Sequence, residues 1–353
     1  MKKILFVNAS LSSGGSERVM ALIASEIAKD EQFEVNMILL RKKDRTYEID
    51  KRVEVIQFDN SGFKPIMFLL RIFNLHKMIA IKKPDYVVSF MDDIALFTSI
   101  SCLGLKTKLI ISIRNNPLRK QKYINKWLAN NFSNPRAYKM VFQTKQARDC
   151  YPESIRNKSI IIANPINDSI PDIYIKQRKK NVVAVGRFTE QKNFTMLIRA
   201  FATFHRKHID YKLIIYGQGH LLQQYIEEAE RLKISEFVSF PGYVSDVDNQ
   251  IVDAGIYVSS SNYEGISNAM LEAMAMGIPC ICTDCPIGGA RLVISHAENG
   301  ILIPVGDEKM LYEQLCYMVE HPSFTAHISE EACKVRERFS IRRIVDQWKE
   351  VFI

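Results

Sequence analysis

The sequence predicts an α/β protein made of two doubly wound, Rossmann-like units. Short apolar runs bounded by polar residues, such as Asp85 to Phe90 and Lys108 to Ile113, read as parallel strands buried on both faces. Amphipathic stretches of helical length alternate with these runs. The whole pattern then restarts at Asn181, after a stretch containing Pro171 and the basic run Lys176 to Lys180. A chain of 353 residues is long enough for two cores.

The first half opens with a strand, Lys3 to Asn8, followed by a loop, Ala9 to Ser16. Glu17 to Lys29 places Val19, Met20, Leu22, Ile23 and Ile27 on one helical face. Glu34 to Leu40, Val53 to Phe58, Lys139 to Gln143 and Ser159 to Ala163 complete the strands of this half. In the second half, Asn181 to Val185, Tyr211 to Tyr216, Val238 to Phe240 and Ile256 to Ser259 read as strands. Asn193 to Lys207 and Leu221 to Leu232 read as helices. Arg338 to Ile353 is an amphipathic helix pattern around Ile344, Trp348 and Phe352. The expected domains are 1–170, 171–337 and a terminal helix, 338–353. Two such units with a cleft between them place a ligand at the carboxyl ends of strands.

At 47% hydrophobic and 25% charged residues, the composition is that of a soluble globular enzyme. The apolar run before Asn8 is too short for a signal peptide, and no stretch approaches the roughly 18 apolar residues of a spanning helix. A cytoplasmic location is expected. Seven cysteines, an odd number, are too sparse for a disulfide scaffold. Cys280, Cys282 and Cys285 cluster, but Cys280-Ile281-Cys282 alternates within a buried strand pattern. No second pair sits at ligand spacing, which disfavours zinc.

Charge is uneven. Residues 1–172 hold 28 Lys/Arg against 17 Asp/Glu, a net +11, and the remainder holds 20 against 22, a net −2. Between Arg114 and Lys158 the only acids are Asp149 and Glu153. A solvated basic face is the plain reading. Nucleic acid is disfavoured, because no recognition motif accompanies the charge. An anionic membrane surface or a lipid diphosphate is preferred. In Phe63 to Lys83 the residues Phe68, Leu69, Leu70, Ile72, Phe73 and Leu75 interleave with Lys64, Arg71, Lys77, Lys82 and Lys83. A core-packed helix is the alternative for that segment.

The most informative segment is Ser260 to Pro279. Tyr257-Val258-Ser259 ends a strand, Ser267 or Asn268 caps a helix running from Ala269 to Met276, and Gly277 and Pro279 stop it. Glu264 then lies in the loop before the helix and Glu272 inside it. The free N–H groups of such an N-terminus form an anion site. A carboxylate on either side of it suits a ligand with hydroxyls on both sides of its phosphates, as in a nucleotide sugar. The plain alternative is a solvated Glu in an Ala-rich helix. Gly14-Gly15 after the first strand lets backbone N–H groups approach a phosphate, although no G-x-G-x-x-G is present. Arg187 and Lys192 bracket the loop after Val185, where two cations would neutralise a leaving diphosphate or be plain surface charges.

Taken together, Gly14-Gly15-Ser16-Glu17-Arg18, Gly186-Arg187-(x)4-Lys192-Asn193, Gly217-Gln218-Gly219, Pro241-Gly242-Tyr243 and Glu264-(x)7-Glu272 resemble, in identity and order, retaining glycosyltransferases of family 4, with the GT-B fold. Asp284 to Arg291 and Glu298 to Val305 extend the resemblance over nearly the whole chain, nearest in look to bacterial members that build capsule, O-antigen or exopolysaccharide. The resemblance implies that Arg187 and Lys192 hold the nucleotide diphosphate, with Gly186 and Gly217 in the donor site. It implies that Glu264 contacts the donor sugar, that Glu272 binds the ribose, and that Gly265, Ile266, Ser267 and Asn268 present donors to sugar and phosphate. Gly15 would close on the diphosphate from the first domain, the backbone near Tyr243 would meet the base, and the C-terminal helix would cross back to the first domain.

Many members carry a His near the donor sugar, where this chain has Arg114, which leaves Arg114 facing either donor or acceptor phosphate. The implied reaction moves a hexose or N-acetylhexosamine, most commonly from UDP, to a polyprenyl-diphosphate-linked glycan at the inner membrane surface. No Asp-x-Asp occupies a suitable loop, so neither a metal nor any other cofactor is expected. Two rivals share the architecture: a nucleotide-sugar 2-epimerase, which needs acid/base groups that the motifs do not supply, and a non-catalytic partner subunit, which would have lost Glu264, Arg187 or Lys192.

Overall fold

The computed structural model describes residues 1–12, 14–42, 47–58, 64–117 and 123–353, with backbone alone described at 64–66 and 123. Of the residues used above, Ser13 and Phe63 lie outside the described residues, as do Arg119, Lys120 and Lys122 of the basic stretch. The chain divides into two units, Met1–Pro165 with Ile341–Ile353, and Ile166–Ser340.

The first unit is built on seven strands: β1 (Lys2–Asn8), β2 (Phe33–Leu39), β3 (Glu54–Gln57), β4 (Tyr86–Phe90), β5 (Lys108–Ile113), β6 (Lys139–Phe142) and β7 (Ser159–Ile161). They pair in the order β3-β2-β1-β4-β5-β6-β7, and every pair is parallel. The apolar runs are unbroken because the central strands are covered on both faces: Ile4 to Val7 and Tyr86 to Phe90 are all buried. Helix Gly15–Ile27 buries Val19, Met20, Ile23 and Ile27. Leu22 escapes full burial. Its place is on the flank of the apolar face.

Helix Ile341–Val351 belongs to this unit and buries Ile344, Val345, Trp348 and Val351. Lys349 pairs with Asp30 at 2.7 Å, and the Phe352 ring meets Phe33 and Tyr86 edge-on. The sequence reads Arg338 to Ile353 as one helix; the structure breaks it into Val335–Arg338 and Ile341–Val351. The break falls where the chain passes between units, and Ser340 there bridges to Ile166. The same bridge draws the segment after Pro165 onto the second unit, with Ile166 and Ile170 buried. The unit boundaries therefore fall at 165/166 and 340/341, where the sequence reading placed them at 170 and 337.

The second unit has six parallel strands: β8 (Asn181–Val185), β9 (Lys212–Tyr216), β10 (Val238–Gly242), β11 (Ile256–Ser259), β12 (Cys280–Thr283) and β13 (Ile301–Ile303), ordered β10-β9-β8-β11-β12-β13. Phe188, Phe194, Phe201, Phe204 and Tyr225 dominate its core. β13, Ile301-Leu302-Ile303, is too short to show an alternation in the sequence and is not among the strands expected there. Among the described residues no helix is long and apolar enough to cross a membrane.

Candidate active site

Parallel strands send their following loops to one edge of the sheet, and a ligand crevice opens where strand order reverses. In the second unit that reversal separates β8 from β11. The loops leaving these two strands are laced together. The Asn262 N–H donates to the Gln191 carbonyl at 2.8 Å and its Nδ2 to the Glu190 carbonyl at 2.7 Å. Asn193 Nδ2 donates to Asn262 Oδ1 at 3.0 Å, and Ser260 Oγ to the Lys192 carbonyl at 2.8 Å. Asn193 takes a left-handed conformation, φ 46°, which turns the chain into helix Phe194–His205.

This lacing brings together two residues far apart in sequence. Lys192 Nζ lies 2.6 Å from Glu264 Oε2, with the side chains only 14% and 21% exposed. Gln191 Nε2 donates to Glu264 Oε1 at 3.2 Å and to the Tyr263 carbonyl at 3.1 Å, and Ser261 Oγ approaches Glu264 Oε2 at 3.4 Å. Gln191 is buried and fixes the carboxylate, a role the sequence reading missed; nothing but its place inside the loop signalled it. Arg187, on the same loop, is exposed and makes no ion pair among the described residues.

The second candidate carboxylate lies one element on. Helix Asn268–Ala275 is capped by Ser267, whose Oγ accepts the Met270 N–H at 3.4 Å. Ser267, not Asn268, is thus the N-cap. Glu272 is 4% exposed, which is not the position of a solvated surface acid. A carboxylate so far out of water requires polar partners. Gly265 and Ile266 enter the helix against Gly289, whose ideal Cβ would overlap the Gly265 carbonyl.

Glycines tie the neighbouring strand ends. Gly186 N–H donates to the Tyr216 carbonyl at 2.9 Å, and Gly217 N–H to the Gly242 carbonyl at 2.8 Å. Gly217 has φ +142°, and the Gly186 carbonyl occupies the place of a Cβ, so only glycine fits. Tyr243, just past β10, is 47% exposed. The edge of this unit thus combines an open cation, a paired cation and carboxylate, a capped helix start and a buried carboxylate. That set can hold a polyanion and receive hydroxyls beside it.

Two site residues named from sequence lie in the first unit. Gly15 is the first residue of its helix, and Glu17 reaches back to the Gly14 N–H at 3.3 Å and accepts from Ser10 Oγ at 3.0 Å. Arg114, just past β5, is 8% exposed. Its guanidinium lies over the Phe90 and Trp348 rings, at 4.7 and 5.5 Å, and donates to Ser112 Oγ at 2.7 Å and Asn164 Oδ1 at 2.9 Å. Burial brings its pKa down to about 9. Of the three clustered cysteines, Cys282 and Cys285 are buried thiols whose pKa values burial raises to about 12 and about 11.

Residues 166–335 match the family described as glycosyl transferases group 1. An uncharacterized glycosyltransferase of Haemophilus influenzae is 25% identical over 99% of this chain and 100% of its own length. An N-acetylgalactosaminyltransferase of Campylobacter jejuni, named for a GalNAc-GalNAc-diNAcBac-PP-undecaprenol acceptor, is 26% identical over 99% of this chain and 97% of its own. Among solved structures, Anabaena HepE in complex with UDP-glucose aligns with a TM-score of 0.84 at 18% identity, over 100% of this chain and 99% of that one. With two parallel-sheet units of this topology and such neighbours, the chain is a glycosyltransferase of the GT-B fold, and its residues 166–335 are a glycosyl transferases group 1 domain.

Proposed function

We propose that this glycosyltransferase moves a hexose or N-acetylhexosamine from a UDP-sugar, with retention of anomeric configuration, to a polyprenyl-diphosphate-linked glycan in bacterial surface polysaccharide synthesis. The observation that carries the donor reading is the pairing of Lys192 with Glu264 at the strand ends, beside exposed Arg187. In this reading Arg187 and Lys192 take the diphosphate, Glu264 the sugar hydroxyls, Glu272 the ribose, and the segment Gly265 to Asn268 the sugar and phosphate. Breaking the sugar–phosphate bond places negative charge on the leaving diphosphate, and two fixed cations there stabilise it without a metal. Attack from the same face, assisted by the leaving phosphate, accounts for retention.

The acceptor reading draws on relatives. One Campylobacter jejuni relative is named for a diphospho-undecaprenol-linked acceptor, and an Erwinia amylovora relative, 21% identical over 99% of each chain, for amylovoran biosynthesis. The first unit supplies a matching surface. Helix Lys64–Lys82 buries Met67, Leu75 and Ile79, at i, i+8 and i+12 on one face, and leaves Leu69 and Phe73 67% and 63% exposed. Ile124 and Trp127 are also exposed on this basic unit. Apolar side chains among cations suit peripheral attachment to the cytoplasmic membrane face.

A thermal-shift screen of UDP, ADP, GDP and UDP-sugars tests the donor. Binding at 100 Kd stabilises by about 2.7 kcal/mol, so a UDP ligand alone should raise Tm. Stabilisation by another nucleotide instead would overturn the choice of UDP. Incubating a UDP-sugar without acceptor tests the epimerase rival, since an epimerase turns over alone.

A further inference from the structure

We propose that Arg114 and Arg336 are positioning residues that clamp, each within its own unit, the two chain segments that link the units, and that the rate of glycosyl transfer depends on these clamps. The chain leaves the first unit at Pro165 and re-enters it at Ile341. Arg114 Nη1 donates to Asn164 Oδ1 at 2.9 Å and reaches the carbonyls of Ile162 and Ala163 at 3.4 and 3.5 Å. These are the residues just before the exit. The same guanidinium lies over Trp348, on the returning helix. One side chain therefore holds the outgoing and the returning segment.

The second unit repeats the device. Ile166 N–H donates to the Phe339 carbonyl at 2.8 Å, and Ile166 bridges Ser340, so the segments run paired there too. Arg336 Nη2 donates to the Ile170 and Pro171 carbonyls at 3.0 and 3.2 Å, and its Nη1 faces Asp172 at 3.4 Å. An arginine four residues before the crossing thus grips the segment just past the other crossing.

Packing alone does not account for Arg114. Among the described residues it is buried without a carboxylate, and its Nη2 has no hydrogen-bond partner. Desolvating an unpaired cation is costly, and an apolar side chain of that length would fill the same space. What the guanidinium adds is a fan of directed donors, which lysine cannot reproduce. Those donors point at the exit segment. Conformational steps often limit turnover in enzymes, and the segments that join two units set the stiffness of such steps.

Hydrogen exchange of the whole protein, read by mass spectrometry, tests this. Arg114→Lys and Arg114→Met should speed exchange by about tenfold or more in 160–166 and 341–353, leaving β1 and β4 at wild-type protection. Arg336→Lys should do the same in 166–172 and 335–340. In each variant kcat should fall by about tenfold, while UDP affinity stays within about twofold, because the proposed nucleotide residues are elsewhere. Unchanged exchange in those segments, loosening spread across the first sheet, or wild-type kcat with loosened segments would each overturn the proposal. Should the Arg114 variants not fold, Arg336→Lys decides it. The kinetic arm rests on the proposed donor reading, and the exchange arm does not: failure of UDP to bind wild type would sink that reading and leave the exchange test intact.

Discussion

Gly186→Ala perturbs the candidate site through a single methyl group. An ideal Cβ at Gly186 would lie 2.8 Å from Lys192 Cε, 3.1 Å from Cδ and 3.2 Å from Cγ. Non-bonded carbons settle at about 3.5–4.0 Å, so the lysine stem must give by roughly 0.5–1 Å. The obstacle is a flexible side chain, not backbone, and the fold should tolerate it: Tm should move by no more than about 4 °C, the shift expected for roughly 1 kcal/mol in a unit this size. The ammonium does not have that freedom, since it is held 2.6 Å from Glu264. A 1 Å misplacement of a group beside reacting atoms costs about 10²-fold. We expect kcat to fall about 10- to 100-fold with the thermal transition nearly unchanged. Transfer kinetics with a UDP-sugar and a lipid-linked acceptor, beside a melting curve, would show this. Wild-type turnover would refute the view that the lysine stem is confined by Gly186. Gly217→Ala is the contrast: a Cβ there meets the Gly186 carbonyl at φ +142°, and the expected loss is of folding, not of turnover alone.

Arg187→Ala and Lys192→Ala should each lower kcat by about 10²- to 10³-fold, the cost of one preorganised donor, with the fold kept, as circular dichroism beside transfer assays would report. Glu272→Ala should chiefly weaken UDP binding and Glu264→Ala chiefly lower kcat; equal loss of UDP affinity by calorimetry in both would refute that division. Anionic vesicles should sediment the protein at low salt and release it at high salt, each Lys or Arg near the surface contributing about 1 kcal/mol; indifference at low salt would favour a water-soluble acceptor. Hydrogen bonds from Arg231 and Arg199 hold the Glu228 carboxyl down at about 2, so its contribution to stability is present above the ordinary carboxylate range and is lost as pH falls toward 2. Glu228→Gln should flatten that acid limb of a Tm-against-pH curve, and an unchanged limb would show the pair to be of no consequence.

The fold was legible because two-sided burial writes itself as apolar runs. Val87, Val88, Ile110 and Ile111 are all buried, and each strand they sit in was read from the sequence to within about two residues, the usual boundary error. β13 was missed although Ile301-Leu302-Ile303 is apolar: three residues carry no period, and β7, equally short, was read only inside a longer run, Ser159 to Ala163. The break at Phe339–Ser340 was hidden for another reason: it falls within the usual error of a helix boundary, and the Ile166 bridge that marks it is remote in sequence. In the site, glycines and charged residues announced themselves by type and place. Gln191 did not, because an amide that fixes a carboxylate is chemically ordinary and its partner is remote in sequence. Arg114 shows the opposite limit. Its charge was visible, but its burial between Phe90 and Trp348 depends on the returning helix.

The Lys192–Glu264 pair also bears on the order of events at the candidate site. A half-buried ammonium without a counter-charge is costly, and so is a half-buried carboxylate. Each neutralises the other at 2.6 Å, and Gln191 and Ser261 hold the acid in place. On the proposed assignment an arriving diphosphate competes for the lysine with more negative charge than one carboxylate offers. The acid is then released toward sugar hydroxyls, while Gln191 still orients it. Phosphate binding would in this way prepare the sugar contact instead of merely preceding it. The same logic fixes a sign. Glu264→Gln keeps the shape and removes the competing charge, so it should bind UDP at least as tightly as wild type while turning over more slowly. Weaker UDP binding by that variant would mean that the carboxylate supports the lysine and does not compete for it.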